Sequence, residues 1–197
     1  MSAPRFCLHC GGALATRIPD GDDRPRLCCE TCGYIHYQNP KILVSCIVSW
    51  GDKVLWMRRA EPPRQGLWSI PSGFMEQGET LQEAAARELY EECGVRIAPA
   101  SLALYILGSI TATSEVYAVF RGTLPGPEHG IGPEALAVEW FSEEEAPWPQ
   151  FAFPEVEEPM RRFYRDLRAG CFGLFMGEYT ERGNEFWAVD AARDCRG

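Results

Sequence analysis

Three glutamates on one predicted helix, Glu88, Glu91 and Glu92, are the acidic residues whose spacing best suits chemistry. At positions i, i+3 and i+4, their side chains leave the same face of a helix. An apolar stripe runs beside them and comprises Ala86, Leu89 and Cys93. A solvated acidic face is the ordinary interpretation, but a helix that packs this stripe on a sheet would hold the acids at the rim of a cleft. Mg²⁺ binds carboxylates together with water and phosphate oxygens, so the cluster is a candidate metal site.

Four cysteines form a second candidate metal site near the start of the chain. Cys7 and Cys10 are separated by two residues, and so are Cys29 and Cys32. This spacing is typical of a zinc ribbon, in which four thiolates hold a structural Zn²⁺ in a closed tetrahedral site. The other five cysteines are expected to be free thiols: Cys28, Cys46, Cys93, Cys171 and Cys195.

Local signals fix the limits of the acidic helix. Thr80 followed by Glu83 is a capping box, which predicts a helix that begins at Leu81. Gly94 is the expected stop. Upstream, Gly73 can bring the backbone close to a metal ion or a phosphate.

The segment Gly73–Val95 resembles the Nudix box, G-x5-E-x7-REU-x-EE-x-GU, at every defined position. The matching residues are Gly73, Glu79 and the run from Arg87 to Val95. Upstream, Gly66–Gly73 (GLWSIPSG) is similar to the lead-in G-x-W-x-x-P-x-G of that family.

The resemblance implies roles for the residues of the box. Glu88 and Glu92 would be the main Mg²⁺ or Mn²⁺ ligands, and Glu91 is a candidate third ligand. Glu79 and Arg87 would form an ion pair that braces the loop against the helix. In related proteins an acidic residue commonly stands three positions before a Trp-Phe pair, here Trp140-Phe141, but this chain has Ala137 at that position. The nearby acids that could replace it as a metal ligand or base are Glu134, Glu139 and Glu115.

A zinc ribbon ahead of a Nudix box resembles the group of Nudix hydrolases that includes NADH pyrophosphatases and FAD or ADP-ribose pyrophosphatases. The signature S-Q-P-W-P-F-P of the NADH enzymes does not follow the box. The resemblance implies metal-assisted hydrolysis of a diphosphate linkage in a dinucleotide or nucleotide-sugar, which yields a nucleoside monophosphate. The alternatives are a nucleoside triphosphate or RNA-cap hydrolase, and a nucleotide sensor without catalysis.

Several residues outside the box are candidates for substrate contact. Trp68, Phe74 and Tyr117 could stack on a base or nicotinamide ring, although each could equally belong to the core. Arg58, Arg59 and Arg64 flank the lead-in and could contact a phosphate. The Gly- and Pro-rich segment Pro125–Pro133 is expected to be a mobile loop near the cleft, and it carries His129 as a candidate proton carrier.

The fold predicted around these sites is α/β: a Nudix α/β/α sandwich with a mixed sheet, preceded by a small zinc ribbon. Residues 1–38 would form the ribbon, 39–168 the Nudix domain and 169–197 an aromatic tail that packs on the domain or on a second subunit. Strands are predicted at Lys41–Trp50, Val54–Arg58, Leu102–Leu107, Val116–Phe120 and Val138–Phe141, and a second helix at Glu155–Leu167.

Composition limits the partners and the location. A net charge of −9 argues against DNA and against an anionic membrane as partners. The sequence has no long apolar run and no secretory signal at its start, so we expect a cytoplasmic protein. A homodimer is expected from the family resemblance and the aromatic tail.

Overall fold

The computed structural model describes residues 4–189 and the backbone of 194–195. The chain divides into two compact units, Met1–Pro40 and Lys41–Gly197. Within the described residues, neither helix is long and apolar enough to cross a membrane.

The first unit is a small antiparallel sheet in the order β1-β2-β3. Its strands are β1 (Leu14–Arg17), β2 (Arg26–Cys29) and β3 (Ile35–His36). The polar turn between β1 and β2 carries Asp22, which accepts a hydrogen bond from the Arg26 side chain at 2.9 Å and so supports the pairing of the two strands.

The second unit is built on a mixed sheet in the order β10-β5-β4-β9-β8-β12-β13, with β6 on β5 and β7 on β4. Its last two strands are β12 (Phe175–Thr180) and β13 (Gly183–Ala188). Its first strands are β4 (Lys41–Trp50), β5 (Lys53–Arg59), β6 (Trp68–Ser69), β7 (Ser72–Phe74), β8 (Ala103–Ile110), β9 (Glu115–Thr123) and β10 (Ala135–Phe141). The pairs β4·β9 and β8·β12 are parallel and the others are antiparallel. The predicted mixed sheet is therefore confirmed.

Each face of this sheet carries one helix and its own apolar core. Helix α1 (Leu81–Cys93) packs Ala84, Ala85, Leu89 and Cys93 on the face that includes Val44 and Cys46. Helix α2 (Glu157–Ala169) packs Met160, Phe163 and Tyr164 on the opposite face, around Trp56 and Tyr105. The layers are those of an α/β/α sandwich, as predicted.

The aromatic residues after 169 enter the second unit. Strand β12 (Phe175–Thr180) pairs with β8, and β13 (Gly183–Ala188) forms the edge of the sheet beyond it. Phe175 is buried against Tyr105, with ring centroids 5.2 Å apart. The tail thus packs on the domain, which was one of the two packing partners expected from its aromatic content.

Two short strands lie outside the main sheet. Strand β11 (Cys171–Phe172) pairs with β14 (Asp194–Cys195) in an antiparallel ladder. Cys171 is disulfide-bonded, so the prediction of a free thiol at this position is wrong. A sequence pattern of isolated cysteines does not show which strands the fold brings together.

Candidate active site

The acidic helix has the predicted limits because both of its ends are capped. The Thr80 hydroxyl accepts a hydrogen bond from the Glu83 amide at 3.3 Å, and the Glu83 carboxylate accepts one from the Thr80 amide at 2.7 Å. At the other end, Gly94 adopts the left-handed conformation with φ of 67°. These caps fix which residues of α1 face the loop that precedes it.

Glu88 lies directly over the backbone of Gly73. Strand β7 pairs with β4 so that Gly73 stands opposite Val44, on the face that α1 covers. A Cβ atom at Gly73 would overlap the Glu88 carboxylate. Any side chain at this position would displace the Glu88 carboxylate, which explains the first position of the motif in physical terms.

Glu92 is the most deeply buried acid of the cluster, with 4% of its surface exposed. Its carboxylate accepts a hydrogen bond from the Ser72 amide at 2.8 Å. Burial raises the pKa of Glu92 to about 8; the negative charges of Glu88 and Glu134 also raise it, whereas the Ser72 amide and the positive charge of Arg59 lower it. A buried carboxylate with few neutralising partners is suited to binding a cation.

Burial also raises the pKa of Glu88, and the adjacent Arg87 partly offsets this effect. The negative charges of Glu91 and Glu134 raise the Glu88 pKa further. Glu91 itself is more exposed, with 54% of its side-chain surface accessible. The three glutamates therefore share one helix face but differ in depth, from the buried Glu92 to the exposed Glu91.

Arg87 joins the loop and the helix. Its guanidinium donates to Glu79 at 2.8 and 3.0 Å, which is the predicted ion pair. It also donates to Glu88 at 2.7 Å, to Glu91 at 3.0 Å and to the Phe74 carbonyl at 3.0 Å. The planar fork of five donors makes these simultaneous contacts possible. Arg87 thus holds the acids of α1 and the β7 loop in one arrangement, a wider role than the sequence indicated.

The segment 125–133 is hydrogen-bonded to the end of α1, which does not fit the expected mobile loop. The amide of Gly130 donates to the Cys93 carbonyl at 2.7 Å, and that of Gly132 donates to the Glu92 carbonyl at 2.9 Å. A Cβ at Gly132 would overlap the backbone of Glu91. The segment is therefore held closely against the acidic helix.

This contact gives Glu134 a defined place beside the cluster. The Glu134 carbonyl accepts a hydrogen bond from the Ala60 amide at 2.9 Å, just before a register shift between Ala135 and Ala137. Of the three acidic substitutes named above, Glu134 is the one whose charge raises the pKa of both Glu88 and Glu92. No sequence signal distinguished it, because the strand irregularity that follows it depends on the pairing of β10 with β5.

The predicted zinc ligands come together in the first unit. Their sulfur atoms all lie within 4.8 Å of one another, with Cys7 and Cys32 at 3.8 Å and Cys10 and Cys29 at 3.4 Å. The amides of His9, Gly12, Thr31 and Cys32 point at these sulfurs at 3.4 Å. Four converging sulfurs that accept amide hydrogen bonds fit a tetrahedral structural Zn²⁺ site.

Two segments of the chain match known families. Residues 40–167 match the NUDIX domain, and residues 5–38 match the family described as Nudix N-terminal, a zinc ribbon. The chain belongs to the Nudix family. Its box and its ribbon thus have the identities that the sequence resemblance implied.

Similar proteins of this Nudix group are known in sequence and in structure. A NUDIX hydrolase from Nitrosomonas europaea is 41% identical, with a TM-score of 0.83, over 89% of this chain and 98% of that protein. The NAD-capped RNA hydrolase NudC of Chromobacterium violaceum is 34% identical over 47% of this chain. An ADP-ribose pyrophosphatase of Methanocaldococcus jannaschii is 39% identical over 32% of this chain. The matches cover 33% and 37%, respectively, of these two curated relatives.

The three aromatic residues predicted to contact a substrate differ in their exposure to solvent. Trp68 is 8% exposed and packs edge-on against Phe141, with centroids 5.2 Å apart. Tyr117 is 7% exposed and belongs to the core under α2. Stacking of a substrate on either ring is not supported, because protein atoms already cover them. Phe74 is 43% exposed, and the Lys41 ammonium lies over its ring, 5.0 Å from the ring centroid.

The side chains of two of the three flanking arginines bind loop carbonyls. Arg58 donates to Gly66 at 2.8 Å, and Arg59 donates to Pro63 at 2.9 Å. The charge of Arg59 also lowers the pKa of Glu92, which connects this loop to the acidic cluster. His129 is exposed, and its ring nitrogen lies 3.3 Å from the neighbouring Gly130 carbonyl.

Proposed function

We propose that this Nudix hydrolase cleaves the diphosphate linkage of a nucleoside diphosphate derivative, with FAD, ADP-ribose and NADH as the leading substrates. The products would be a nucleoside monophosphate and the phosphorylated remainder. The observation that carries the proposal is the arrangement of Glu88 and Glu92, two carboxylates of raised pKa that lie against the backbone of Gly73 and Ser72, respectively. A bound cation favours the ionised form of such carboxylates, because its positive charge offsets both the cost of their burial and their mutual repulsion.

In this proposal Glu88 and Glu92 hold Mg²⁺ or Mn²⁺, and Glu91 is a further ligand. A bound divalent cation would supply charge neutralisation at the phosphates and a more acidic water. The donor set fits, because all three groups offer the carboxylate oxygens that these hard cations prefer. The second metal of the proposal is a Zn²⁺ with a structural role, bound by Cys7, Cys10, Cys29 and Cys32.

The chain itself would position the charged groups for the reaction. Arg87 fixes Glu88 and Glu91 by direct hydrogen bonds, so neither carboxylate has to be ordered when substrate binds. The Ser72 amide holds Glu92 at 2.8 Å. Glu91, half exposed at the open side of the cluster, and Glu134 are the two carboxylates that could accept a proton from the attacking water.

A second candidate substrate is the nicotinamide–adenine cap of an RNA. The matched relative from Chromobacterium violaceum is named an NAD-capped RNA hydrolase, and such a cap contains the same diphosphate linkage. The net charge of −9 favours a small dinucleotide over a long RNA, because phosphate backbones bind basic surfaces. A nucleoside triphosphatase is a weaker alternative because of the zinc ribbon and the acidic net charge. A sensor without catalysis is weaker because every acid of the Nudix box is present.

The test is incubation of the purified protein with Mg²⁺ or Mn²⁺ and FAD, NADH, ADP-ribose, ATP or an NAD-capped RNA. Products are identified by chromatography and mass. AMP together with the matching phosphorylated half supports the proposal and ranks the small substrates, and the capped RNA would give nicotinamide mononucleotide and a 5′-monophosphate RNA. Release of inorganic phosphate or pyrophosphate from ATP alone would favour the triphosphatase instead. Binding of ADP-ribose without turnover of any substrate would favour the sensor.

A homodimer in the cytoplasm is part of the same proposal. Its support is the edge strand β13, where Trp187 is 40% exposed, and the family resemblance. Light scattering of the full chain would measure the oligomeric state directly.

A further inference from the structure

Arg59, the last residue of β5, lies on the same face of the sheet as the acidic helix. Side chains of a strand alternate between its two faces. Leu55 and Met57 belong to the apolar core under α1, and Trp56 between them belongs to the core under α2. The alternation therefore directs Arg59 to the α1 face and its neighbour Arg58 to the α2 face.

The pairing of β5 with β10 supports the same assignment. Ala135 stands opposite Arg59 and is buried in the core under α1. Ala137 stands opposite Arg58 and packs against the core under α2. Residues that stand opposite each other on paired antiparallel strands share a face of the sheet. The two adjacent arginines thus differ in the face that they occupy, and Arg59 shares its face with the glutamates of α1.

Backbone contacts bring the end of β5 close to Glu92. The Ala60 amide donates to the Glu134 carbonyl at 2.9 Å, and the Gly132 amide donates to the Glu92 carbonyl at 2.9 Å. The segment 132–134 therefore connects the residue after Arg59 directly to the acidic helix. The positive charge of Arg59 accordingly lowers the pKa of Glu92. Among the residues that the structure describes, Arg59 nevertheless forms no ion pair.

The contacts of the Arg59 side chain orient its guanidinium group and leave two nitrogens accessible. The Nε atom donates to the Pro63 carbonyl at 2.9 Å, and the guanidinium carbon lies 5.6 Å from the centroid of the Phe153 ring. The residue is partly exposed, and its two terminal nitrogens donate to no described residue. Water can occupy these donors in the unbound protein, and an anionic ligand can replace the water. A guanidinium fork matches two oxygens of a phosphate group.

We propose that Arg59 is a substrate-binding residue whose terminal nitrogens donate hydrogen bonds to non-bridging oxygens of the diphosphate at Glu88 and Glu92. The inference rests on the proposed function, which puts the diphosphate beside these acids. Without a cation on the protein, the acidic cluster would repel a diphosphate. Arg87 cannot fill this role, because three carboxylates of the Nudix box already accept its hydrogen bonds. Arg59 is the arginine on this face whose donors remain accessible to substrate.

The test compares Arg59→Gln with Arg58→Gln, a matched control at the neighbouring position. Each arginine donates through Nε to a carbonyl of the same loop, Arg59 to Pro63 and Arg58 to Gly66, and each change removes one positive charge. Arg59→Lys is a further variant that keeps the charge and loses the planar fork.

Three measurements are made on each zinc-loaded variant. They are calorimetric binding of a methylene-bridged ADP-ribose analogue with Mg²⁺, Mn²⁺ binding without substrate by electron paramagnetic resonance, and kcat/KM for ADP-ribose, FAD and NADH. The melting temperature and the zinc content establish that each variant is folded.

Arg59→Gln should bind the analogue roughly tenfold to 100-fold more weakly than the wild type, with a similar loss of kcat/KM, because a charge-assisted hydrogen bond is removed. Its Mn²⁺ affinity without substrate should be equal to that of the wild type or higher, since one positive charge near Glu92 is gone. Arg59→Lys should fall between the wild type and Arg59→Gln. Arg58→Gln should stay within about twofold of the wild type in all three measurements, because its charge is exposed and screened.

Two results would overturn the inference and leave the proposed function intact, provided that the wild type cleaves one of the three substrates. The first is analogue binding and kcat/KM of Arg59→Gln equal to those of Arg58→Gln. The second is a parallel loss of Mn²⁺ binding and analogue binding, which would show that Arg59 supports the acidic cluster rather than the substrate. A wild type that cleaves none of the three substrates would overturn the proposed function as well.

Discussion

Replacing Glu92 by glutamine should stabilise the protein when no divalent cation has been added. Glutamine keeps an oxygen that can accept the Ser72 amide hydrogen bond, and it removes the ionisable group. Because the folded state raises the pKa of Glu92 to about 8, the unfolded chain releases this proton at lower pH than the native protein. Stability of the wild type should therefore fall as pH rises from about 4.5 to about 8.

The size of the effect follows from the two pKa values. Each unit of pKa difference corresponds to about 1.4 kcal/mol, so the advantage of Glu92→Gln should be about 1 kcal/mol at pH 5 and roughly 4 kcal/mol at pH 7.5. For a domain of this size the larger value corresponds to a rise of about 10 °C in melting temperature. The variant should at the same time lose turnover, because it lacks a proposed metal ligand.

The assay is thermal or urea unfolding of the zinc-loaded full chain at pH 5 and pH 7.5, without chelators that would remove the zinc. Glu139→Gln is the matched control, since Glu139 is an exposed carboxylate on β10. The control should differ little from the wild type at either pH. Equal or lower stability of Glu92→Gln at pH 7.5, or an advantage that does not grow with pH, would refute the reasoning about burial.

Further predictions concern the close backbone contacts and the zinc site. Gly73→Ala should lower kcat at least 100-fold with little change in the zinc content, because the new Cβ would displace the Glu88 carboxylate; a variant with wild-type kcat would contradict this contact. Gly132→Ala should lower the melting temperature by several degrees, since its Cβ would overlap the Glu91 backbone; an unchanged melting curve would count against the tight loop. Cys32→Ser should release zinc, measured by a chromogenic chelator after denaturation, and full retention of the metal would exclude Cys32 as a ligand.

The sequence predicted those parts of the site that depend on local patterns. The capping box at Thr80, the stop at Gly94 and the Glu79–Arg87 ion pair are all present, because each involves residues within one turn or one short loop. The four cysteine sulfurs also converge, since their spacing is a sufficient signal for a ribbon.

Features that depend on strand register were not predictable. Glu134 reaches the acidic cluster because residues 130 and 132 bind the end of α1 and a register shift follows at Ala135. Tyr117 and Trp68 are of residue types that often stack on ligands, but the fold buries both of them in its core. The parallel pairing of β12 with β8 joins residues far apart in the sequence, so no local pattern indicated that Phe175 would pack against Tyr105.

The central claim is that Glu88 and Glu92 hold the divalent cation used for hydrolysis. The most direct measurement is Mn²⁺ titration followed by electron paramagnetic resonance, with AMP release from ADP-ribose measured in the same samples of the wild type and Glu92→Gln. We expect the wild type to bind Mn²⁺ and to release AMP in proportion to the bound metal, and the folded, zinc-loaded variant to lose both. Wild-type Mn²⁺ affinity and AMP release in Glu92→Gln would contradict the account.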